Sequence, residues 1–233
     1  MKKKLLVANW KLNPVDLAAA KQLAIAVGKA KTKHEIVICP PFPYLGLLKT
    51  KAALGAQNAF WEPSGAFTGQ VSAEMLKQFG VKYVIVGHSE LRNLGQTDQE
   101  IGQTIAEVQK NKMIAILCVG HGLTDGEKEE EMLFHLRNQL QEAFAVEGVH
   151  SEKVVVAYEP VWAIGSGHAA TPEHAERVAM FIKIKAKPSK VLYGGSVNSE
   201  NAESFLKQTD IDGLLIGKAS LDAQEFNLIS AIS

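Results

Sequence analysis

The sequence predicts a single α/β domain, residues 1–233, folded as a closed (β/α)8 barrel. Short apolar stretches alternate eight times with stretches of helical apolar spacing, a pattern typical of parallel strands joined by right-handed helical crossovers. Eight repeats favour closure into a barrel over an open, doubly wound sheet. The length of 233 residues is ordinary for one such barrel, and no low-complexity linker divides the chain.

Each predicted strand is short, apolar and bounded by polar residues, proline or glycine, as expected of strands buried on both faces. The third is the weakest of the eight. The predicted strands are Leu5–Ala8, Glu35–Cys39, Gly55–Asn58, Tyr83–Val86, Met113–Val119, Val154–Ala157, Val191–Tyr193 and Asp212–Ile216.

Apolar residues at helical spacing predict a helix after each strand. The second is short, and the third follows a long, glycine-rich loop, 59–71, of the kind that contacts a partner. The predicted helices are Val15–Lys29, Tyr44–Lys51, one beginning near Ser72 or Ala73, Asp98–Gln109, Glu127–Phe144, Pro172–Lys185, Asn198–Gln208 and Asp222–Ile232.

The charge balance limits the possible partners. Lysine plus arginine equals aspartate plus glutamate at 25 each, so no general basic field exists to hold nucleic acid or an anionic membrane. Any anionic ligand must therefore be bound locally. We expect neither nucleic-acid nor membrane binding.

The cysteines and the first residues indicate a cytoplasmic setting. Cys39 and Cys118 each end an apolar run and show no metal-binding or CxxC spacing, so we expect two buried, reduced thiols. The apolar run after Met1 stops at Asn9 and Lys11, which is too short for a signal peptide. No stretch has the length and apolarity of a membrane-spanning helix.

Polar side chains follow the predicted strands where a barrel of this kind places its chemistry, at the carboxyl ends. The first strand is followed by Asn9 and Lys11, and the fourth by His88 and Glu90. The sixth is followed by Glu159, a position suited to a carboxylate that removes a proton. These residues are the candidates for a catalytic site.

Two further features of the strand ends predict anion binding. The last two strands end in glycine turns, 194–196 and 217–218, whose N–H groups can hold a phosphate. After Glu159, the stretch Pro160–Ala170 combines a stiff proline, the apolar Ile164 and two glycines, which is the outline of a lid.

Each of these residues also has an ordinary structural explanation. His88 could be a hydrogen-bonded core histidine, Lys11 and Glu159 solvated surface residues, and Asn9 a turn former. The glycine turns could be tight connections. Taken singly, these explanations do not account for the occurrence together, at one end of one barrel, of a base, a neutral acid, a cation, an amide and two anion-binding turns.

The motifs ANWKLN, GAQN, GAFTGQVS, VIVGHSE, CVG, YEPVWAIGSG, YGGSV and DGLLIGKASL resemble those of the triosephosphate isomerase family, in its order and over nearly the whole chain. The stretch YEPVWAIGSG alone is highly specific. The resemblance implies a TIM barrel that interconverts dihydroxyacetone phosphate and D-glyceraldehyde 3-phosphate in glycolysis and gluconeogenesis. It implies no metal and no organic cofactor.

The resemblance also implies roles for individual residues. Glu159 would be the base and His88 the electrophile, a carboxylate and neutral-histidine pair for which this family is a standard example. Lys11 and Asn9 would stabilise charge on the substrate oxygens, and Glu90 would orient Lys11. Val161–Ser166 would form the lid, Ile164 and Leu215 its apolar clamp, and the N–H groups of Gly165, Ser196, Gly217 and Lys218 the phosphate site.

A homodimer is implied as well, because Thr68 would reach the Asn9 and Lys11 region of a second subunit. The sequence departs from the family here, since Gln70 and Leu91 stand where an interface ion pair is usual. Their joint replacement leaves no unpaired charge. Three other departures are His121 for the glutamate of CVGE, Lys218 for the second glycine of the phosphate turn, and a shortened segment, Lys185–Lys190.

Two alternatives remain open on the sequence alone. Another phosphate-binding barrel enzyme, such as an aldolase, would need a Schiff-base lysine inside a strand, and the predicted strands contain none. A non-catalytic phosphate-binding barrel should have lost Lys11, His88 or Glu159, and all three are present.

Overall fold

The computed structural model describes residues 2–124, 126–163 and 169–232. Eight parallel strands form a closed barrel in which each strand pairs with the next and β8 pairs with β1. The predicted barrel is thereby confirmed. The strands are β1 Leu5–Asn9, β2 Glu35–Cys39, β3 Ala53–Ala56, β4 Val81–Val86, β5 Ile114–Val119, β6 Val155–Tyr158, β7 Lys190–Tyr193 and β8 Gly213–Ile216.

The helices surround the barrel, and side-chain caps fix where several of them begin. Asp16, Ser72, Thr97, Thr171 and Asp222 each accept a hydrogen bond from the first turn of the following helix. The helices are α1 Leu17–Gly28, α2 Ala73–Gln78, α3 Ser89–Arg92, α4 Asp98–Lys110, α5 Glu129–Phe144, α6 Pro172–Ala186, α7 Ala202–Leu206 and α8 Ala223–Ser230.

Alternate residues of each strand divide the core into two parts. Leu5 and Val7 point into the barrel, whereas Leu6 and Ala8 pack outward against the helices. The barrel interior also holds the two cysteines, which are buried and not joined in a disulfide, as expected. A filled interior makes the barrel a rigid support for the residues at its carboxyl end.

The third strand and the helix before it differ from the prediction. β3 begins at Ala53 rather than Gly55, because it pairs Ala53 with Val37 and leaves Gln57 outside the sheet. The predicted helix Tyr44–Lys51 is only a 3₁₀ turn at Phe42–Tyr44, since Pro41 and Pro43 constrain its start.

Two smaller differences concern the helices that follow β4 and β7. The predicted helix Asn198–Gln208 is shortened to Ala202–Leu206, because the side chains of Asn198 and Asn201 bind backbone N–H groups of the preceding turn. The short helix α3 was not predicted. None of the helices in the described ranges is long and apolar enough to cross a membrane.

Candidate active site

The carboxyl ends of the strands open into a cavity of about 550 Å³. Two predicted residues, Ile164 and Gly165, lie outside the described residues, as do the other positions of 164–168. Glu90 does not line the cavity and is connected to it through its contact with Lys11. The remaining predicted residues all line it: Asn9, Lys11, His88, Glu159, Ser196, Leu215, Gly217 and Lys218.

Glu159 lies at the end of β6 and is only 2% exposed. Its backbone N–H donates to the Val119 carbonyl at 2.8 Å, which extends the pairing of β6 with β5 by one residue. This hydrogen bond fixes the backbone from which the Glu159 side chain extends. Oε1 lies 3.0 Å from Nε2 of His88, and Oε2 accepts the Ser89 N–H at 3.0 Å. Burial raises the pKa of Glu159, but His88 and the Ser89 N–H outweigh it and lower the pKa below its ordinary value. The carboxylate is therefore ionised at neutral pH.

His88 follows β4 and forms the N-cap of α3. Its Nδ1 accepts the backbone N–H of Glu90 at 3.2 Å, which leaves the proton on Nε2, facing Glu159 and the cavity. Burial lowers the pKa of His88, but the adjacent Glu159 carboxylate outweighs burial and holds it above its ordinary value. The ring thus presents a donor to the cavity.

Lys11 brings a cation to the same place. Its Nζ lies 2.8 Å from Oε1 of Glu90, and its backbone N–H donates to Oδ1 of Asn9 at 3.1 Å. The other carboxylate oxygen of Glu90 is 3.6 Å from Nδ1 of His88. The loops after β1 and β4 are therefore linked by one carboxylate.

The turn after β7 makes room for Glu159. A Cβ atom at Gly194 would lie 3.1 Å from Cγ of Glu159 and 3.2 Å from the Tyr158 carbonyl, so a side chain there would restrict the carboxylate. The next part of the turn is held by Asn201, whose amide donates to the Ser196 carbonyl at 3.2 Å. The turn after β7 is thus packed against Glu159 on one side and hydrogen bonded to the following loop on the other.

The turn after β8 contains Gly217 and Lys218. The Gly217 carbonyl accepts both the N–H of Ser220, at 2.9 Å, and its hydroxyl, at 2.7 Å. Lys218 begins a 3₁₀ helix, Lys218–Leu221, and its side chain is exposed. The added lysine therefore lies at the mouth of the cavity.

The described beginning of the predicted lid includes Trp162, in a 3₁₀ turn at Val161–Ala163. Its ring packs edge-on against the ring of His174 with centroids 6.2 Å apart. Nε2 of His174 lies 3.0 Å from the hydroxyl of Tyr158. His121 lies in the loop after β5, and burial together with Arg92 lowers the pKa of its ring.

The sequence interpretation missed two residues that contact Glu159. Ser89 binds Glu159 through its backbone N–H, and the buried Cys118 thiol interacts with the same carboxylate. Burial, followed by the charge of Glu159, raises the pKa of that thiol. The sequence signals that could have found them were the position of Ser89 next to His88 and that of Cys118 near the end of β5.

The arrangement can remove a proton from a carbon atom beside a carbonyl group. Glu159 supplies an ionised base, while His88, Lys11 and Asn9 supply donors for the charge that develops on oxygen. Within the described part of the chain, no group of three or more His, Cys, Asp or Glu residues could hold a metal ion.

Comparison with known proteins places the chain among enzymes of one type. The sequence profile of the family described as triosephosphate isomerase matches residues 4–232. The triosephosphate isomerase of Alkaliphilus oremlandii is 41% identical over 246 residues, covering 97% of this chain and 98% of that protein. That of Thiobacillus denitrificans is 44% identical over 243 residues, covering 97% and 96%. That of Aquifex aeolicus is 40% identical over 241 residues, covering 96% and 97%.

Proposed function

The chain belongs to the triosephosphate isomerase family, and on this premise we propose how its own residues interconvert dihydroxyacetone phosphate and D-glyceraldehyde 3-phosphate. The reaction is an intramolecular aldose–ketose isomerisation of a triose phosphate, a step of glycolysis and gluconeogenesis. One observation supports the proposed catalytic roles above all. The buried Glu159 carboxylate lies beside the Nε2–H of His88, and Lys11 lines the same cavity.

Glu159 acts as the base in this proposal. In the substrate-free arrangement both of its oxygens are engaged, one by His88 and the other by the Ser89 N–H. The carboxylate must leave these partners to reach a substrate carbon. Because glycine has no side chain, Gly194 leaves space for that movement. Glu159 then removes a proton from one carbon and returns it to the neighbouring carbon.

His88, Lys11 and Asn9 stabilise the enediolate that forms between the two proton transfers. When Glu159 moves to the substrate, His88 loses the influence that raises its pKa, and burial and the nearby Lys11 then lower it. The ring therefore acts as a neutral donor through Nε2. Removing one donor of this kind typically costs about 10² to 10³ in rate.

The phosphate group binds at the opposite side of the cavity. The N–H groups of Gly165, Ser196, Gly217 and Lys218 hold it, and the positive ends of short helical turns favour the anion. Val161–Ser166 closes as a lid, with Ile164 and Leu215 as an apolar clamp over the reacting carbons. Closure excludes water and so suppresses loss of phosphate from the enediolate.

A homodimer is the assembly we propose. Several apolar side chains on the loops at the cavity end are open to solvent in the single chain: Leu12 is 88% exposed, Val15 90% and Leu94 84%. Exposure of this kind is typical of surfaces that a partner covers. The loop around Thr68 would contact the Asn9 and Lys11 region of the second subunit. We also propose that the protein is cytoplasmic.

The two alternatives from the sequence find no support in the cavity. Two strands do contain a lysine that the predicted strands lacked, since Lys82 is the second residue of β4 and Lys190 the first residue of β7. Both are at or near the amino ends of β4 and β7, and neither lines the cavity, so neither can form a Schiff base there. A non-catalytic barrel should have lost at least one of Lys11, His88 and Glu159, and all three line the cavity.

A coupled isomerisation assay tests the proposal. Purified protein should convert D-glyceraldehyde 3-phosphate to dihydroxyacetone phosphate and back, and a Glu159→Gln preparation purified in parallel should show turnover lower by several orders of magnitude. The parallel preparation excludes a contaminating host enzyme. Equal turnover by the two preparations would overturn the assignment of the base.

A further inference from the structure

Lys11 adopts a backbone conformation that lysine rarely takes. Its φ angle is 54°, in the left-handed region where a side chain crowds the following carbonyl. The conformation turns the chain sharply after Trp10, whose ring is fully buried. In this conformation Lys11 lines the cavity.

Gln57 holds the turn from outside the loop. Its Nε2 donates to the Lys11 carbonyl at 2.7 Å and to the Cys39 carbonyl at 2.9 Å, so one amide bridges the loop after β1 and the end of β2. The Cys39 carbonyl also accepts the Trp10 N–H at 3.2 Å. Both hydrogens of the amide are therefore used. A carboxylate of the same length could donate neither.

The position of Gln57 is fixed by close packing of β3 against β2. Gly55 lies so near Cys39 and Val37 that a Cβ atom would collide with both side chains. Gln57 follows the strand by one residue and is half-buried. The glycine thus brings the amide within reach of the two carbonyl groups.

We propose that Gln57 is a positioning residue for Lys11, holding the lysine backbone in the left-handed turn that directs its ammonium group into the cavity. This inference rests on the proposed role of Lys11 in binding and stabilising the substrate. It adds to that role a residue that contacts neither the substrate nor the base.

The test compares two substitutions with a matched control. Gln57→Met removes both donors, and Gln57→Glu keeps the shape of the side chain and, when its carboxyl group is protonated beside the two carbonyl groups, one donor. Gln109 is the control, because its amide also bridges a backbone, that of His150, away from the cavity. Gln57→Met should lower kcat/KM about ten- to hundredfold and Gln57→Glu by less, whereas Gln109→Met should change it less than about threefold.

A double-mutant cycle separates positioning from general stability. In the Lys11→Met background, Gln57→Met should lower kcat/KM less than about threefold further, because the group it positions is gone. Inhibition by inorganic phosphate should weaken in Gln57→Met and be unaffected by the same change in the Lys11→Met background. Circular dichroism confirms that each variant is folded.

Two results would count against different claims. An equal loss of kcat/KM from Gln57→Met with and without Lys11 would overturn the inference and leave the proposed function intact. Full activity in Lys11→Met would instead remove the role of Lys11, on which the inference rests. Wild-type kcat/KM in the Gln57→Met variant would also overturn it, since that variant lacks both donors.

Discussion

Oε1 of Glu159 lies 3.0 Å from Nε2 of His88, and both side chains are buried. The proposed base and electrophile are thus in contact before any substrate arrives. Each shifts the pKa of the other in the direction that favours its charged form. A substrate carbonyl that enters between them would end this mutual influence and leave a neutral imidazole beside an ionised base.

Replacing the base should affect turnover far more than binding. Glu159→Gln is expected to lower kcat by several orders of magnitude and to change the affinity for a non-reacting substrate analogue by less than about tenfold, because a base acts mainly in the transition state. The measurements are steady-state kinetics and analogue titration. Parallel losses in both would favour a binding role for Glu159.

We predict that the activity of one subunit requires the loop around Thr68 of the other subunit. The protein is expected to sediment as a homodimer at micromolar concentration, and Thr68→Arg should shift it to a monomer with at least about tenfold lower kcat/KM. Thr209→Arg, on an exposed loop at the opposite end of the barrel, is the control. A fully active monomer would contradict the prediction.

Lys218 should contribute little to substrate binding. Its side chain is exposed at the start of a 3₁₀ helix, as expected of a solvated lysine. Lys218→Gly should therefore change KM less than about threefold. Loss of a charge-assisted contact worth about 1.5 to 3 kcal/mol would instead raise KM more than tenfold, and that outcome would assign Lys218 to the phosphate.

His121 should make lid closure sensitive to acid. The family's glutamate at this position accepts the indole N–H of the lid tryptophan, here Trp162, and a protonated imidazole cannot. Burial, Arg92 and His135 lower the pKa of His121, against the opposing charges of Glu159 and Asp98. The fall in kcat is therefore expected below the ordinary histidine value of about 6.5 rather than at it.

The corresponding measurement is kcat against pH for the wild type and His121→Glu. The glutamate should flatten the fall by a few-fold to about tenfold, the size of one hydrogen bond of about 0.5 to 1.5 kcal/mol. Profiles that superimpose from pH 5.5 to 8 would show that His121 is a neutral replacement.

His34 should make the fold itself less stable in acid. Its Nδ1 accepts the Lys4 N–H at 3.1 Å and its Nε2 donates to the Ile232 carbonyl at 2.7 Å. A second proton on the ring would bind at Nδ1 and would point at the Lys4 N–H, which is itself a donor. Burial lowers the pKa of this ring. Its contribution to stability is present above about pH 6.5 and is lost as the pH falls through the lowered folded-state pKa.

Thermal unfolding at pH 7.5 and 5.5 measures this contribution. The loss of Tm on acidification should be smaller in His34→Asn than in the wild type, and unchanged in His150→Asn, whose ring is exposed. An identical loss in His34→Asn would place the acid sensitivity elsewhere.

The barrel could be predicted from the sequence because most strands are apolar on both faces, and their alternation with helices survives errors of one or two residues. β3 was placed two residues late because its four residues, Ala53–Ala56, include a glycine and two alanines. Its position depends on pairing with β2 and β4. That pairing is a tertiary property which the local pattern does not contain.

The residues of the candidate site could likewise be predicted only in part. Lys11, His88 and Glu159 could be placed in one cavity because each lies within two residues of the end of a strand, and parallel strands end at the same edge. Gln57 and Ser89 could not be assigned roles, because one acts on a carbonyl 46 residues away and the other acts through its backbone. The Gln57 contact leaves no signal in residue type or spacing, and Ser89 is marked only by its place beside His88.

The pairing of β8 with β1 has a consequence for biosynthesis. The two strands are about 200 residues apart, so a growing chain carries β1 with one edge unpaired until β8 has been translated. An open edge of this kind can recruit strands from other chains. Ribosomes that stall before Gly213 would therefore release fragments that aggregate, and chaperone binding to nascent chains should end once β8 is available.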